Sequence, residues 1–329
     1  MKRGVVGVVL ILSLVFGVAL GANFAVAAPY PITIYTGSGP GSVYFALGCM
    51  LAKILNQKAK GVISAKGVTS GASVANARAI ANGEAQMALI QNDVTWEAYN
   101  GKVRFKGHPV KNMRGIATLY PEAVQIVVRA DSNIKTLQDL VGKRVVVGAA
   151  GSGTAAAAQR VLTAAGIWNK INKIYQTFSE AAQSLVLGQI DANFTVIAYP
   201  APAVNMTAVR VPVRLIPIPD NVIKKLHASG YPFYVKVVIP KKTYNGMDKD
   251  VQTVAVRATL VVSSKVPAKV VYDVTKILYT SLNDLAKAHQ VAKQIKISEA
   301  FDGLMVPLHP GAVKFFEEHG LKVPANLKK

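Results

Sequence analysis

The strongest constraint in this chain is an alternation. Short β-branched runs end in glycine- or serine-rich turns, and most of these turns open onto a stretch of helical periodicity. "ITIYTG" is a first strand, after which Leu47, Met50, Leu51, Ile54 and Leu55 recur at helical spacing. "VISAKGVTSG" is a second strand ending in small residues, and the spacing predicts a helix over 73–82 stopped by Gly83. "AQMALIQND" is a third strand whose end carries Gln91, Asn92 and Asp93. The scheme repeats in "RVVVGAAGSGTAAAAQRVLTAAGI" and again in "FSEAAQSLVLGQIDANFTVIAYPAP", with helix stops at Gly166 and Gly188. Strand and helix in strict alternation select an α/β fold built on a mainly parallel sheet.

Two stretches break the rhythm. Residues 115–129 and 231–240 read as long extended segments, the first interrupted by Pro121. As crossing segments they would enclose a middle stretch able to form its own sheet. The expectation is a two-lobed α/β protein, each lobe a sheet flanked by helices, with a hinge of crossing segments. Lobe 1 is discontinuous (29–118 and 240–329), and lobe 2 spans 119–239. The tail is helical, with Val270, Val271, Val274, Ile277, Leu278, Leu282 and Leu285 on one face.

Residues 1–28 have the layout of a secretory signal peptide. Lys2 and Arg3 precede an apolar core over 5–20, and small residues end it, so cleavage is expected near Ala27 or Ala28. A membrane anchor is the alternative, disfavoured because Gly17 and Gly21 interrupt the apolar run. The mature chain is expected to be exported to the periplasm. Its single cysteine, Cys49, excludes an intrachain disulfide and falls in a helical pattern as a buried thiol. The formal charge of +21 becomes +19 after cleavage, because two basic residues and no acids are lost. Such a surplus suits anionic partners. The lysines are scattered rather than gathered in a stripe with aromatics, so nucleic acid is not expected.

Ligands of open α/β sheets bind at the carboxyl ends of strands. There this chain places "TGSGPGSVY", "TSGAS", "QND", "AAGSGT" and "AYP", nearly all small, hydroxylated or amide-bearing. Three of these turns open helices, where free N–H groups favour an anion. Ser73 and Thr154 could equally be helix N-caps, and Asp93 a solvated or capping carboxylate. Nucleotide loops are excluded by spacing, since Gly37 and Gly39 are followed by Ser42 where the dinucleotide fingerprint needs glycine. Neither glycine turn carries the Gly-Lys-Ser/Thr of a P-loop. "GSGT" lacks the final glycine of a nucleophile elbow, and the five histidines form no metal pair with a glutamate. No catalytic residue, metal or cofactor is expected. An exported hydrolase on the same sheet order is left as an alternative.

From "ITIYTGSGPGSVYFALG" through "TSGASVANARAIANGEAQMALIQND", "TLQDLVGKRVVVGAAGSGT" and "LVLGQIDANF" to "GLMVPLHPGAVKFFEEHG", the chain resembles the TAXI-type solute-binding proteins of TRAP (tripartite ATP-independent periplasmic) transporters. The resemblance implies a type II periplasmic binding protein fold. It also implies a monomer that closes on a small organic anion (a carboxylate, dicarboxylate or acidic amino acid) and delivers it to an ion-gradient-driven membrane permease. A ligand-sensing module for a membrane receptor would use the same pocket chemistry. By position, the resemblance implies ligand contacts from Ser38, Gly39 and Tyr44 in the first loop. It implies others from Ser73 and Asn76, from Gln91 and Asp93, from Ser152, Gly153 and Thr154, and from Tyr199. Two positions depart from the related pattern. Val43 stands where a tyrosine is usual, and Pro40 stiffens the glycine loop. Ligand choice is expected to be set there.

Overall fold

The computed structural model describes Met1 and residues 28–328, so residues 2–27 of the proposed signal peptide lie outside the described residues. The chain opens with β1 (Tyr30–Tyr35), α1 (Val43–Lys58), β2 (Ile63–Val68), α2 (Ser73–Asn82), β3 (Met87–Gln91) and α3 (Asn92–Asn100). β4 (Met113–Arg129) follows, a strand of 17 residues. The middle of the chain holds β5 (Arg144–Val146), α4 (Gly153–Ala164), β6 (Asn172–Ile174), α5 (Phe178–Val186) and β7 (Ala192–Ile197). It continues with α6 (Pro202–Ala208), β8 (Val213–Leu215), α7 (Asp220–Ala228) and β9 (Val235–Ile239). A second long strand, β10 (Val251–Ser263), precedes α8 (Ala268–Thr280), α9 (Leu282–Ala288) and α10 (Pro310–Glu318).

Local chemistry accounts for most boundaries. α2 stops where Gly83 adopts φ +80, a left-handed conformation that spares glycine the Cβ clash. Thr177 and Glu180 form a capping box that starts α5. The apolar face read through residues 270–285 is carried by two helices, because Ser281 leaves the helical region at φ −129 and separates α8 from α9.

All ten strands join one sheet, in the order β2-β1-β3-β10-β4-β7-β5-β6, with β8 beside β4 and β9 beside β10. Strands β2, β1 and β3 are parallel, as are β7, β5 and β6. The antiparallel pair β4 and β10 joins these two parallel sets. The expected crossing segment over 115–129 is therefore β4. The second crossing strand is β10, later than the expected 231–240. That stretch instead contains β9, which runs antiparallel to the first half of β10 over Val235–Ile239. Both segments are rich in valine, but β9 has 5 residues and β10 has 13, and only β10 pairs with β3 and β4. Two apolar cores fill the layers between sheet and helices. One runs through Ile32, Leu55, Ile90, Leu260 and Phe316, the other through Ile126, Leu162, Phe194 and Tyr234.

Candidate functional site

The carboxyl ends of the two parallel sets converge on one small, largely enclosed cavity. About 30 Å³ of it admits a water-sized sphere, enough for a water molecule. On one side it is lined by Ser38, Val43 and Tyr44 after β1, by Ala72 and Ser73 opening α2, and by Gln91 at the end of β3. On the other it is lined by Ala149, Ser152, Gly153 and Thr154 at the start of α4, by Phe178 opening α5, and by Val196 and Ile197 of β7. Glu122, near the middle of β4, lines it as well. Among the described residues, no Lys, Arg or His lines this cavity.

The two sides touch closely. Val74 and Ala75 N–H donate to Gly151 O at 3.0 and 3.2 Å, so a carbonyl from the α4 turn fills the N-terminus of α2. Ser179 Oγ donates to Pro40 O at 3.0 Å and ties the first glycine loop to α5. Gly153 packs so tightly that a Cβ there would stand 2.1 Å from Gln91 Oε1 and 2.7 Å from Ser73 Oγ.

Each sequence-predicted residue now has a place. Ser38, Tyr44, Ser73, Gln91, Ser152, Gly153 and Thr154 line the cavity. Ser152 is the N-cap of α4, accepting from Ala155 N–H at 3.0 Å, so the cap falls there and not on Thr154. The Ala156 N–H goes to Ser152 O, which leaves the Gly153 and Thr154 N–H groups of the first turn for other partners. Ser73 is not a cap either, because α2 is capped by Ala72. Its hydroxyl accepts from Gln91 N–H at 3.2 Å. Ala72 holds φ 64 and ψ −151, a conformation suited to glycine.

Four expected contacts lie elsewhere. Gly39 is in the first loop but does not line the cavity. Asn76 is fully buried beneath the site, where its Nδ2 donates to Thr36 O at 2.7 Å and Leu89 O at 2.8 Å. It ties α2 to the ends of β1 and β3. Tyr199 points away, donating to Val238 O of β9 at 3.3 Å.

Asp93 is fully buried and does not line the cavity. It sits in the first turn of α3, paired with Arg160 of α4 and accepting from Tyr234 Oη at 2.6 Å. Arg160 also reaches Glu97 at 2.5 Å, and Arg104 pairs with the same carboxylate at 3.3 Å. Two acids and two arginines thus balance in a cluster that joins α3 to α4. Arg160 lies 67 residues from Asp93, a separation that strand-end reasoning does not bridge. Of the two departures from the related pattern, Val43 lines the cavity. Pro40 acts through its carbonyl on Ser179.

Sequence reasoning missed Glu122. It is 2 % exposed and accepts from Tyr44 Oη at 2.7 Å. Burial pushes its carboxyl up to about 8, with the Asp93 charge adding to the rise, while hydrogen bonds from Tyr44 and Gln91 oppose it. Burial, and then the neighbouring Glu122, likewise push the Tyr44 phenol well above its ordinary range. Gln91 Oε1 is buried with no hydrogen-bond partner in the protein. The available signal was an acid inside the apolar run "GIATLYPEAVQIVV", where a charge has no structural reason to sit.

An open α/β sheet whose two parallel strand sets meet at polar turns defines the fold class, and solved structures share it. Two structures of XAC2383 from Xanthomonas citri align with a TM-score of 0.51 and cover 88% of this chain. The one bound to ATP is 13% identical and covered over 94% of its length, and the one bound to chloride ion is 12% identical and covered over 95%. The periplasmic aliphatic sulphonate binding protein SsuA from Escherichia coli aligns at 17% identity, over 89% of this chain and 84% of its own, with a TM-score of 0.48. The chain matches the NMT1-like family over residues 34–320 and belongs to it.

Proposed function

We propose that this chain is an exported, periplasmic solute-binding protein of the TAXI type. It captures a small organic anion and delivers it to the membrane subunits of an ion-gradient-driven TRAP permease. The anion is a carboxylate, dicarboxylate or acidic amino acid. The observation that carries the reading is the cavity itself. Turns from both parallel strand sets meet there, lined by hydroxyls, an amide and the first turn of α4, with no catalytic pair among them. The free N–H groups of Gly153 and Thr154, with the Ser38, Ser73 and Thr154 hydroxyls, suit an anion held without a cationic side chain. No metal or cofactor enters this reading, and the working unit is a monomer.

The cavity leaves little free space between its two sides, so a solute would enter as they part. The lobes proposed on sequence grounds, residues 29–118 with 240–329 and residues 119–239, would separate by bending β4 and β10. The bonds from Val74 and Ala75 to Gly151 O and from Ser179 to Pro40 O would break on opening. Ligand contacts available only in the closed form would drive closure.

A thermal-shift screen of the mature protein against organic acids, acidic amino acids, neutral sugars and polyamines tests the reading. Carboxylates are expected to raise the unfolding midpoint. A rise with sugars or polyamines alone refutes the anion assignment. Thr154→Ala is expected to weaken carboxylate binding while leaving the protein folded, and unchanged affinity moves the site away from α4.

A further inference from the structure

An anion pocket with a carboxyl group in its wall poses a problem of charge. Glu122 enters the cavity from β4 and is almost fully buried, with the Tyr44 hydroxyl donating to it and Gln91 lining the same cavity. The charged and titratable groups around it offer no neutralising cation. Tyr44 faces it from α1, and Tyr120 lies close by on β4. Asp93 acts on it from α3, but the positive charge beside Asp93 is committed to the cluster around Arg160. On β10, Val256 stands opposite Glu122, and the adjacent Arg257 pairs with Glu299 and Asp302. An anion entering this space therefore meets an ionised carboxylate across a buried gap of low dielectric unless Glu122 carries a proton.

Resting on the anion-capture reading above, we propose that Glu122 is the specificity-determining group of the cavity and that it makes anion capture proton-linked. The neutral acid accepts the Tyr44 hydrogen bond on one oxygen and donates its own proton toward the ligand carboxylate from the other. Where Glu122 is ionised in the empty protein, binding takes one proton from solvent for each anion captured. No bond other than that O–H forms or breaks. Gln91, with its unpartnered Oε1, lies beside the same ligand position and can accept from a ligand hydroxyl or amine. The raised protonation range of Glu122 accords with this geometry.

The experiment is calorimetric titration of the mature protein with glutarate and with acetate from about pH 6.5 to about pH 9, in buffers of different ionisation heat. Affinity is expected to be flat below about pH 8 and to weaken toward tenfold per pH unit above it, with uptake of about one proton per anion there. In Glu122→Gln, whose amide keeps a neutral donor at this position, the anion binding that remains is expected to show neither the pH slope nor the proton uptake. Tyr44→Phe removes a bond that favours the charged form, so it is expected to shift the slope to higher pH. This second variant preserves the test if the first does not fold. Wild-type affinity that is flat over the whole range overturns the proposal. So does a Glu122→Gln protein that keeps the wild-type slope. Loss of all anion binding in Glu122→Gln, with Tyr44→Phe unshifted, overturns it too and makes the carboxylate a partner for a cationic ligand group. If neither anion binds the wild type at any pH, the anion reading itself falls and takes this inference with it.

Discussion

Gly153→Ala is expected to act on closure rather than on folding. The added Cβ would stand 2.1 Å from Gln91 Oε1, 2.5 Å from Gln91 Cδ and 2.7 Å from Ser73 Oγ, all on the opposite side of the cavity. Neither neighbour moves freely. Gln91 is 3 % exposed, and the Ser73 hydroxyl is engaged by Gln91 N–H. Inserting a methyl group into such a contact costs about 1–3 kcal/mol. Alanine also favours the helix at this position by up to about 1 kcal/mol, and that gain is present whether the cavity is open or shut. The strain exists only when the two sides meet, so it acts entirely on closure. Carboxylate affinity is expected to fall roughly 5- to 150-fold. The unfolding midpoint of an opened, ligand-free protein would hold or rise slightly. Titration calorimetry and small-angle scattering with and without ligand measure the two effects, and scattering should report a larger radius of gyration for the variant at sub-saturating ligand. Wild-type affinity together with a lowered midpoint would refute the reasoning, because the methyl group would then be straining the fold rather than the closed form.

Replacing Arg160 by methionine leaves Asp93 and Glu97 buried without their shared cation. Urea denaturation should show a loss of about 3–5 kcal/mol, and a loss under 1 kcal/mol would mean that Arg104 and water replace it. Relieving the φ of 64 at Ala72 with glycine should stabilise the protein by about 1 kcal/mol after the entropic cost of glycine, read from the shift in urea midpoint. Glu122 titrates higher in the folded state than in the unfolded chain, so between about pH 4.5 and about pH 8 the folded protein keeps a proton that the unfolded chain has released. Its contribution to stability therefore declines as pH rises through that window, by up to about 1.4 kcal/mol per pH unit. Glu122→Gln should flatten that part of the stability profile, and a profile identical to wild type would show that Glu122 ionises normally.

What the sequence determined by itself was local. The alternation of strands and helices, the glycine stop after α2 and the polar turns at strand ends follow from periodicity and backbone sterics. Seven of the eleven contact residues that the resemblance implies lie at strand ends, helix starts and the turns between them, and line the cavity. Tertiary structure decided what depends on partners distant in the chain. Asp93 stands at a strand end and Asn76 is a contact that the resemblance implies, yet Arg160 pairs with the first and the carbonyls of Thr36 and Leu89 accept from the second. The 231–240 stretch and β10 are both rich in valine, and strand pairing gave the second crossing to β10. Glu122 is the clearest case. In sequence it is one acid in an apolar run, but β4 carries it into the cavity and burial changes its proton affinity. Periodicity assigns a side chain to a face, whereas burial and neighbouring charge, which require the assembled sheet, assign its chemistry.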